Sequence, residues 1–367
     1  MSDLPRYRPA QLTAWAAEIL SIVDTPGHIA ATVARHLVEA DVSGHRGHGL
    51  TMLPTYLEAI AAGRLNVRAE PVTLAQRPSH LIVDGQHGFG HHALTWTLRR
   101  VVGLAKQHGL AGAHLVRCGH VGRLGGYVLD GVQESAAVLL TVGSLADDDD
   151  ALVTPYGGSE RLLGTNPIAF GCPGNPPLVV DMATSVMAYY DVVRLAAAGA
   201  EMPHGVLVDG SGQPVVRLGN GLADLNLLPF GGYKGYGLSL LIGVLSGLAG
   251  ADAGRPPDRQ PAAPPLNGVF VLALDVPQAS TRAVDATLSR IRLSRPVDSA
   301  KPVLVPGDRA RVHRDDSEAA GVGLPLDLVS RLQASLAGFA RTPPRLPDPV
   351  PGSPPQAAVR ASVPREE

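Results

Sequence analysis

Cysteine is almost missing from this chain of 367 residues: Cys118 and Cys172 are its only two, too few for a disulfide framework and in keeping with a reducing compartment. Aromatic residues make up 4%, which argues against aromatic binding platforms. An excess of one charge is lacking as well. Lys and Arg number 31 against 33 Asp and Glu, a formal net charge of -2, so there is no electrostatic footprint for nucleic acid or an anionic membrane. The opening residues Met1 to Arg6 lack the basic-then-apolar pattern of a secretory signal. The uncharged run from Leu238 to Ala251 is closed by Asp252 and falls short of the roughly 20 residues a bilayer span needs. These absences together predict a soluble cytoplasmic protein. Glycine and proline are plentiful instead, at 42 and 32 residues, which points to close backbone packing and many turns. The length is enough for two or three lobes.

The stretch Leu228-Pro-Phe-Gly-Gly-Tyr-Lys-Gly-Tyr-Gly-Leu238 places Lys234 among glycines just before that apolar run. A cation where backbone can approach a ligand closely makes an anion-binding corner. The run behind it, with Gly243, Gly247 and Gly250, reads as a buried core helix. Helical spacing also governs Pro9 to about Ala62, with the turn-rich segment Asp41 to Leu50 carrying His45 and His48. Strands are expected at Leu81–Gly85, Gly112–Arg117, Ser135–Ser144, Leu178–Asp181 and Gly268–Asp275, with a hairpin between Gly205 and Asn220. Helices are expected at Ala93–His108, Ala283–Ile291 and Leu326–Phe339, with Pro302–Pro306 extended. His120 lies in a glycine-rich strand-to-helix corner, where free backbone N–H groups can meet a phosphate. Met182 to Tyr190 reads as a helix, with Thr184 and Ser185 as cap residues or ligand groups. Asp147 to Asp150 reads as a solvated surface loop, since adjacent carboxylates point apart and repel, and no metal site is expected. Arg255–Pro265 reads as a proline-rich surface loop. From Arg341 onward proline, serine and charge predict disorder.

In order, His120-Val-Gly-Arg-Leu-Gly-Gly-Tyr127, Gly164-Thr-Asn-Pro-Ile-Ala-Phe170, Asp181-Met-Ala-Thr-Ser185, the Lys234 stretch and Val305-Pro-Gly-Asp-Arg309 resemble the type-2 malate/L-lactate dehydrogenase family. That family includes ureidoglycolate dehydrogenase, sulfolactate dehydrogenase and Δ1-piperideine-2-carboxylate reductase. The resemblance runs from about Leu12 to Phe339. It implies an α/β (α+β) fold of non-Rossmann type, a central largely antiparallel sheet domain flanked by helical lobes from both chain ends, and a homodimer. The implied division is residues 8–65 with 308–341 as helical lobe, 66–135 with 276–307 as substrate-side domain, 136–275 as NAD(P)-binding domain, and 342–367 as disordered tail. NAD or NADP is the implied cofactor, held by His120, Gly122, Arg123, Leu124, Thr165, Asn166, Thr184, Ser185, Lys234 and Gly235. NADPH is slightly favoured if Arg123 meets a 2′-phosphate.

The family's Ser-His-Gly-x-x-Arg motif supplies a proton relay and a carboxylate-binding arginine. Here it reads Gly47-His-Gly-Leu-Thr-Met52: the histidine is kept, the serine is Gly47 and the arginine Met52. His48 is the expected proton donor, with Asp181 orienting it and His120 as rival. Met52, Arg46, Tyr56 and Thr154 are expected around the substrate. Methionine offers no bidentate contact to a carboxylate, so the expected activity is hydride transfer to or from a C=O or C=N carbon of an atypical small-molecule substrate. The competing reading is a family member that has lost catalysis and serves as a cofactor-binding or assembly protein.

Overall fold

The computed structural model describes residues 4–143, 151–218, 226–249 and 267–351. The expected loops at Asp147–Asp150 and Arg255–Pro265, the end of the 205–220 hairpin and residues 352–367 lie outside them. The chain begins with β1 (Arg6–Tyr7), α1 (Pro9–Ile22), α2 (Gly27–Val42), two 3₁₀ turns at Arg46–His48 and Leu50–Met52, and α3 (Leu53–Ala61). It continues through β2 (Val72–Arg77), β3 (His80–Asp84), α4 (Gly90–His108), β4 (Leu110–Cys118), α5 (Leu124–Gln133), β5 (Ala136–Gly143), β6 (Ile168–Cys172) and β7 (Leu178–Met182). Then follow α6 (Tyr189–Ala197), β8 (Leu207–Val208), β9 (Pro214–Val215), β10 (Asn226–Leu227), α7 (Tyr233–Gly247) and β11 (Asn267–Asp275). The last elements are α8 (Gln278–Arg292), α9 (Asp308–Ala320), β12 (Val322–Gly323) and α10 (Leu328–Ala337).

Helical periodicity builds the first lobe. Leu12, Trp15, Ala16, Ile19 and Leu20 form one buried face of α1, and they pack with Ile29, Val33 and Leu37 of α2 and Leu328, Leu332 and Leu336 of α10. Antiparallel pairing of β1 with β12 joins the two chain ends. The tail is docked farther than its composition predicts. Trp15 donates its indole N–H to Pro344 O at 3.0 Å, Val350 N–H bonds Arg6 O at 2.7 Å, and Leu346 packs on the lobe. A buried indole N–H needs an acceptor, and residues 342–351 supply it, so disorder does not begin at 342.

The second body is a seven-stranded sheet in the order β2-β3-β4-β11-β5-β6-β7. Only β3 and β4, linked through α4, are parallel; the other pairings run antiparallel, as expected of a non-Rossmann sheet. β11 enters at the centre, between β4 and β5. Val269, Val271 and Ala273 of β11 share a core with Leu94 and Leu98 of α4 and Leu124 and Val128 of α5. That single core spans residues 81–273, so the expected boundary at 135/136 does not separate two cores. A smaller cluster around Val153, Val192, Met202 and Leu207 supports α6 and the sheet of β8 to β10. The helix expected over Met182–Tyr190 starts only at Tyr189. Pairing of Met182 with Ile168 and a bridge from Ser185 to Pro229 hold the chain extended before it.

α7 lies on the sheet face opposite α4 and α5, and it is not the buried core helix its composition suggests. Its small residues Gly235, Ser239, Gly243, Ser246 and Gly247 are buried, while Leu240, Leu241, Val244 and Leu248 are exposed. Thr141 of β5 and Ser246 share a buried hydrogen bond of 2.8 Å. A Cβ on Gly143 would lie 3.1 Å from the Gly243 Cα, and one on Gly268 would collide with Ser246 O. Among the described residues no helix is long and apolar enough to cross a membrane. Close approach of α7 to β11 predicts that Gly268→Ala lowers stability by about 1–3 kcal/mol, the cost of overpacking. The denaturant midpoint measures it, and an unchanged midpoint would show that α7 can move off the sheet freely.

Candidate active site

A buried charge set assembles the site from four separate elements. Arg123, immediately before α5, points Nη1 at Glu39 Oε1 of α2 at 2.7 Å and Nε at Asp181 Oδ2 of β7 at 3.5 Å. Arg314 of α9 reaches the same Glu39 oxygen at 2.6 Å and Ser43 Oγ at 3.0 Å. Burial pushes the Glu39 carboxyl upward, but Arg123 and Arg314 outweigh it, and the net shift is down. Asp181 Oδ2 also accepts the Gly125 N–H at 2.8 Å. The first turn of α5, expected to receive a phosphate, is therefore capped by a carboxylate of the protein. With its side chain 3% exposed and two carboxylates beside it, Arg123 is not placed to read a 2′-phosphate. The glycines of this corner make room for side chains. A Cβ on Gly126 would stand 2.8 Å from Glu39 Oε2, one on Gly125 2.8 Å from Asp181 Oδ2, and one on Gly122 2.7 Å from His91 Nε2.

Histidines form the rest of the cluster. The His48 and His120 rings stack with centroids 5.4 Å apart. Tyr56, expected to touch substrate, spends its hydroxyl on His120 Nδ1 at 2.7 Å. His91 follows, 6.2 Å from His120 and 5.9 Å from His36 between centroids, and His36 Nε2 reaches Thr95 Oγ1 at 2.8 Å. Sequence reading did not single out His36 or His91. The segment before Ala93 reads as loop, yet α4 starts at Gly90, so His91 shares a helical face with Thr95 and Leu98, a spacing that could have revealed it. His45 was noted in its turn-rich segment but given no role, although it interacts electrostatically with Arg123, Asp181, His48 and Glu39.

Burial dominates the titration of this pocket. It holds His36 and His120 well below the usual imidazole range and His91 at about 3. His48 is lowered by burial, with Asp181 pulling it back up and Arg123 pushing it down. Neither His91 nitrogen, nor His48 Nδ1, has a hydrogen-bond partner among the described residues.

One of the two altered motif positions, Gly47, has a steric counterpart in the fold. A Cβ on Gly47 would collide with the Tyr190 ring, so this ring occupies the place a serine side chain needs. Tyr190 was missed because residues 47 and 190 meet only in the fold. A Cβ on Gly49 would collide with the Asp41 carboxylate, which accepts the Leu50 N–H at 2.8 Å and is pushed up to about 7 by burial. Met52 packs on the core of the helical lobe. Arg46 Nη2 comes within 3.7 Å of a Cβ built on Gly323 in β12, and Thr154 is fully buried with its hydroxyl toward Leu227 O.

The remaining expected residues form one knitted body. Thr184 Oγ1 donates to Thr165 O at 2.9 Å, Asn166 Nδ2 to Ser239 O at 3.0 Å, and Ser185 Oγ to Met187 O at 2.7 Å. Phe230 N–H bonds Thr184 O at 3.0 Å. Thr184 and Ser185 thus fasten backbone and cap no helix. A cavity of about 610 Å³ opens beside them, lined by Tyr156, Ser159, Val186, Leu228, Gly231 and Gly232. Lys234 is exposed nearby in sequence, with no carboxylate partner among the described residues. Gly235 is needed because a Cβ there would collide with Phe230 O. His48, His120 and Asp181 do not line this cavity.

A family model described as malate/L-lactate dehydrogenase matches residues 7–333. L-lactate dehydrogenase of Cupriavidus necator is 33% identical over 267 residues, covering 71% of this chain and 75% of its own. The Δ1-pyrroline-2-carboxylate/Δ1-piperideine-2-carboxylate reductase of Pseudomonas syringae pv. tomato is 31% identical over 334 residues, covering 89% and 95%. A dehydrogenase structure from Sinorhizobium meliloti matches with a TM-score of 0.80 at 32% identity, covering 91% and 98%.

The neutral imidazoles set the acid limb of stability. Their folded pKa values lie below the unfolded 6.5, so their contribution is complete above 6.5 and is lost as pH falls. Each buried ring accounts for about 1.4 kcal/mol per pH unit. Asp41 works oppositely, its contribution growing as pH drops below 7. Taking His36, His91 and His120 against Asp41, stability should fall by roughly 2–3 kcal/mol between pH 7 and 5.5. Denaturant titration across that range checks this, and His91→Met should flatten the slope by about one proton.

Proposed function

Because the chain belongs to the malate/L-lactate dehydrogenase family, we propose that it transfers a hydride between NAD or NADP and a C=O or C=N carbon, with His48 exchanging the accompanying proton. That it is an oxidoreductase, a nicotinamide-dependent dehydrogenase or reductase acting on CH–OH or CH–NH groups, follows from the family. The observation that carries the finer reading is the stack of His48 on His120 beside Asp181.

What supports a dinucleotide here is a cavity lined in part by glycine backbone and, close to it in sequence, an exposed lysine with no carboxylate partner among the described residues. When bound, the nicotinamide supplies or takes up the hydride. His48 gives a proton to the reduced oxygen or nitrogen, or takes it in the reverse direction, and Asp181 favours the charged ring. The Tyr56 hydroxyl lies 2.7 Å from His120 Nδ1; with the tyrosine as donor, His120 carries its proton on Nε2, where it would hydrogen-bond the reacting heteroatom. The case for NADPH over NADH weakens with Arg123 paired internally. A homodimer remains part of the reading, and the Leu240, Leu241, Val244 and Leu248 face of α7 is one it would cover.

Substrate choice turns on what surrounds His48. A carboxylate there finds Arg123 already paired, Arg46 turned toward β12 and Met52 packed in the lobe. The Tyr190 ring lies on Gly47 instead. This arrangement favours a larger, less polar ketone or imine over small 2-oxo acids, since an unpaired desolvated carboxylate costs several kcal/mol.

His48→Gln should remove turnover while cofactor binding, followed by NAD(P)H fluorescence, persists; retained activity would transfer the role to His120. In the wild type, kcat/KM for reduction should decline with rising pH and that for oxidation should climb, both with an apparent pKa below 6.5. For specificity, pyruvate, oxaloacetate and cyclic imino acids should turn over at least about 100-fold more slowly than the best apolar ketone or imine. Tyr190→Gly should cut kcat/KM for that substrate about 10-fold or more with cofactor affinity unchanged. Brisk turnover of the small acids, or indifference to Tyr190, would refute this choice.

A further inference from the structure

We propose that His28, Glu70 and His92 form a binding site for a divalent metal ion of borderline softness, such as Zn²⁺, on the outside of the junction between the helical lobe and the central sheet. His28 Nε2 lies 2.6 Å from Glu70 Oε1, and His92 Nε2 lies 2.9 Å from Glu70 Oε2. One ligand atom from each residue falls within a set no more than 4.8 Å across. Three ligands around a tetrahedral zinc stand about 3.3 Å apart, so a small outward movement of the carboxylate admits the ion. The side chains of His28 and Glu70 are 61% and 53% exposed, free to adjust and open to a water as fourth ligand. His92, with its side chain only 11% exposed, is the fixed member. The two rings meet edge to face at 5.4 Å, and both direct Nε2 at the same carboxylate. Gln86 Nε2 holds the Glu70 carbonyl at 2.6 Å, which anchors the loop bearing the carboxylate. Two imidazole nitrogens and one carboxylate are a donor set that suits zinc.

The three ligands come from the first turn of α2, the loop before β2 and the first turn of α4, so no short spacing announces them. The absence of a metal motif in the sequence is explained by that dispersal. An ion there cross-braces α2 to α4, two helices whose His36 and His91 lie behind the catalytic pair. It touches none of the proposed catalytic or cofactor residues, so the site stands independently of the proposed function.

Full-length protein dialysed against EDTA and titrated with Co²⁺ should develop a visible d–d absorption band that saturates at one ion per chain and is bleached by Zn²⁺. Zn²⁺ in excess should raise the melting temperature. Both responses should be lost in His28→Ala and in Glu70→Gln, which change exposed side chains and should leave the metal-free melting temperature within a few degrees. The absence of a saturable band in the wild type, or a band of unchanged strength in both variants, overturns the site and leaves a plain histidine–carboxylate clasp.

Discussion

Arg123 between Glu39 and Asp181 is the contact on which the arrangement of this molecule depends. It joins α2 of the helical lobe to the start of α5 and the end of β7, and Arg314 extends the same set to α9. Removing one member of such a buried set leaves an uncompensated charge, a loss of roughly 3–5 kcal/mol. A guanidinium suits the position because it can address two carboxylates from different nitrogens, which a lysine ammonium does less precisely. The same group acts on His48 electrostatically, since its charge lowers the pKa of that ring while Asp181 raises it. Structure and proton chemistry thus share one ion pair.

Glycine plays an unexpected part around it. Gly125, Gly126 and Gly122 do not open the backbone to a ligand; each leaves space for Asp181, Glu39 or His91. Gly47 and Gly49 do the same for Tyr190 and Asp41. A polar pocket with this many charged and aromatic groups can close only where the facing backbone carries no side chain. At Gly231 and Gly232, with φ of 61° and 64°, the glycines do line an open cavity in the way the sequence suggested.

That contrast shows what was legible beforehand. Most strand and helix positions followed from periodicity, because burial acts locally along each element, and β11 was evident as an apolar run; the largely exposed β2 and the charged α9 were not anticipated. The family motifs marked His48, His120 and Asp181, and the fold brings these together. Three things were not readable. α7 lays its small residues and Ile242 against the sheet, the close approach its glycines allow, but Leu240, Leu241 and Val244 stay exposed, so it is not the fully buried helix that its hydrophobicity suggested. The docking of residues 342–351 depends on an indole N–H more than 300 residues away. Tyr190 on Gly47 is a contact between distant segments, and a change at one position had no visible partner at the other.

The polarity of the pocket finally bears on how the enzyme handles protons. A dry cluster of imidazoles with depressed pKa values rests in the neutral form, which accepts a proton from an alcohol or amine. Reduction needs the opposite form, so under the proposed role His48 would be recharged in each cycle, and of the charges that act on it Asp181 is the one that favours the protonated ring. Asp181 is itself restrained by Arg123 and the Gly125 N–H, which fixes where its charge lies. A mobile carboxylate would turn toward water and leave His48 less able to charge. The buried ion pair therefore does more than join the lobes: it fixes Asp181, whose charge favours the protonated imidazole, beside His48, while the Arg123 charge and burial oppose that proton.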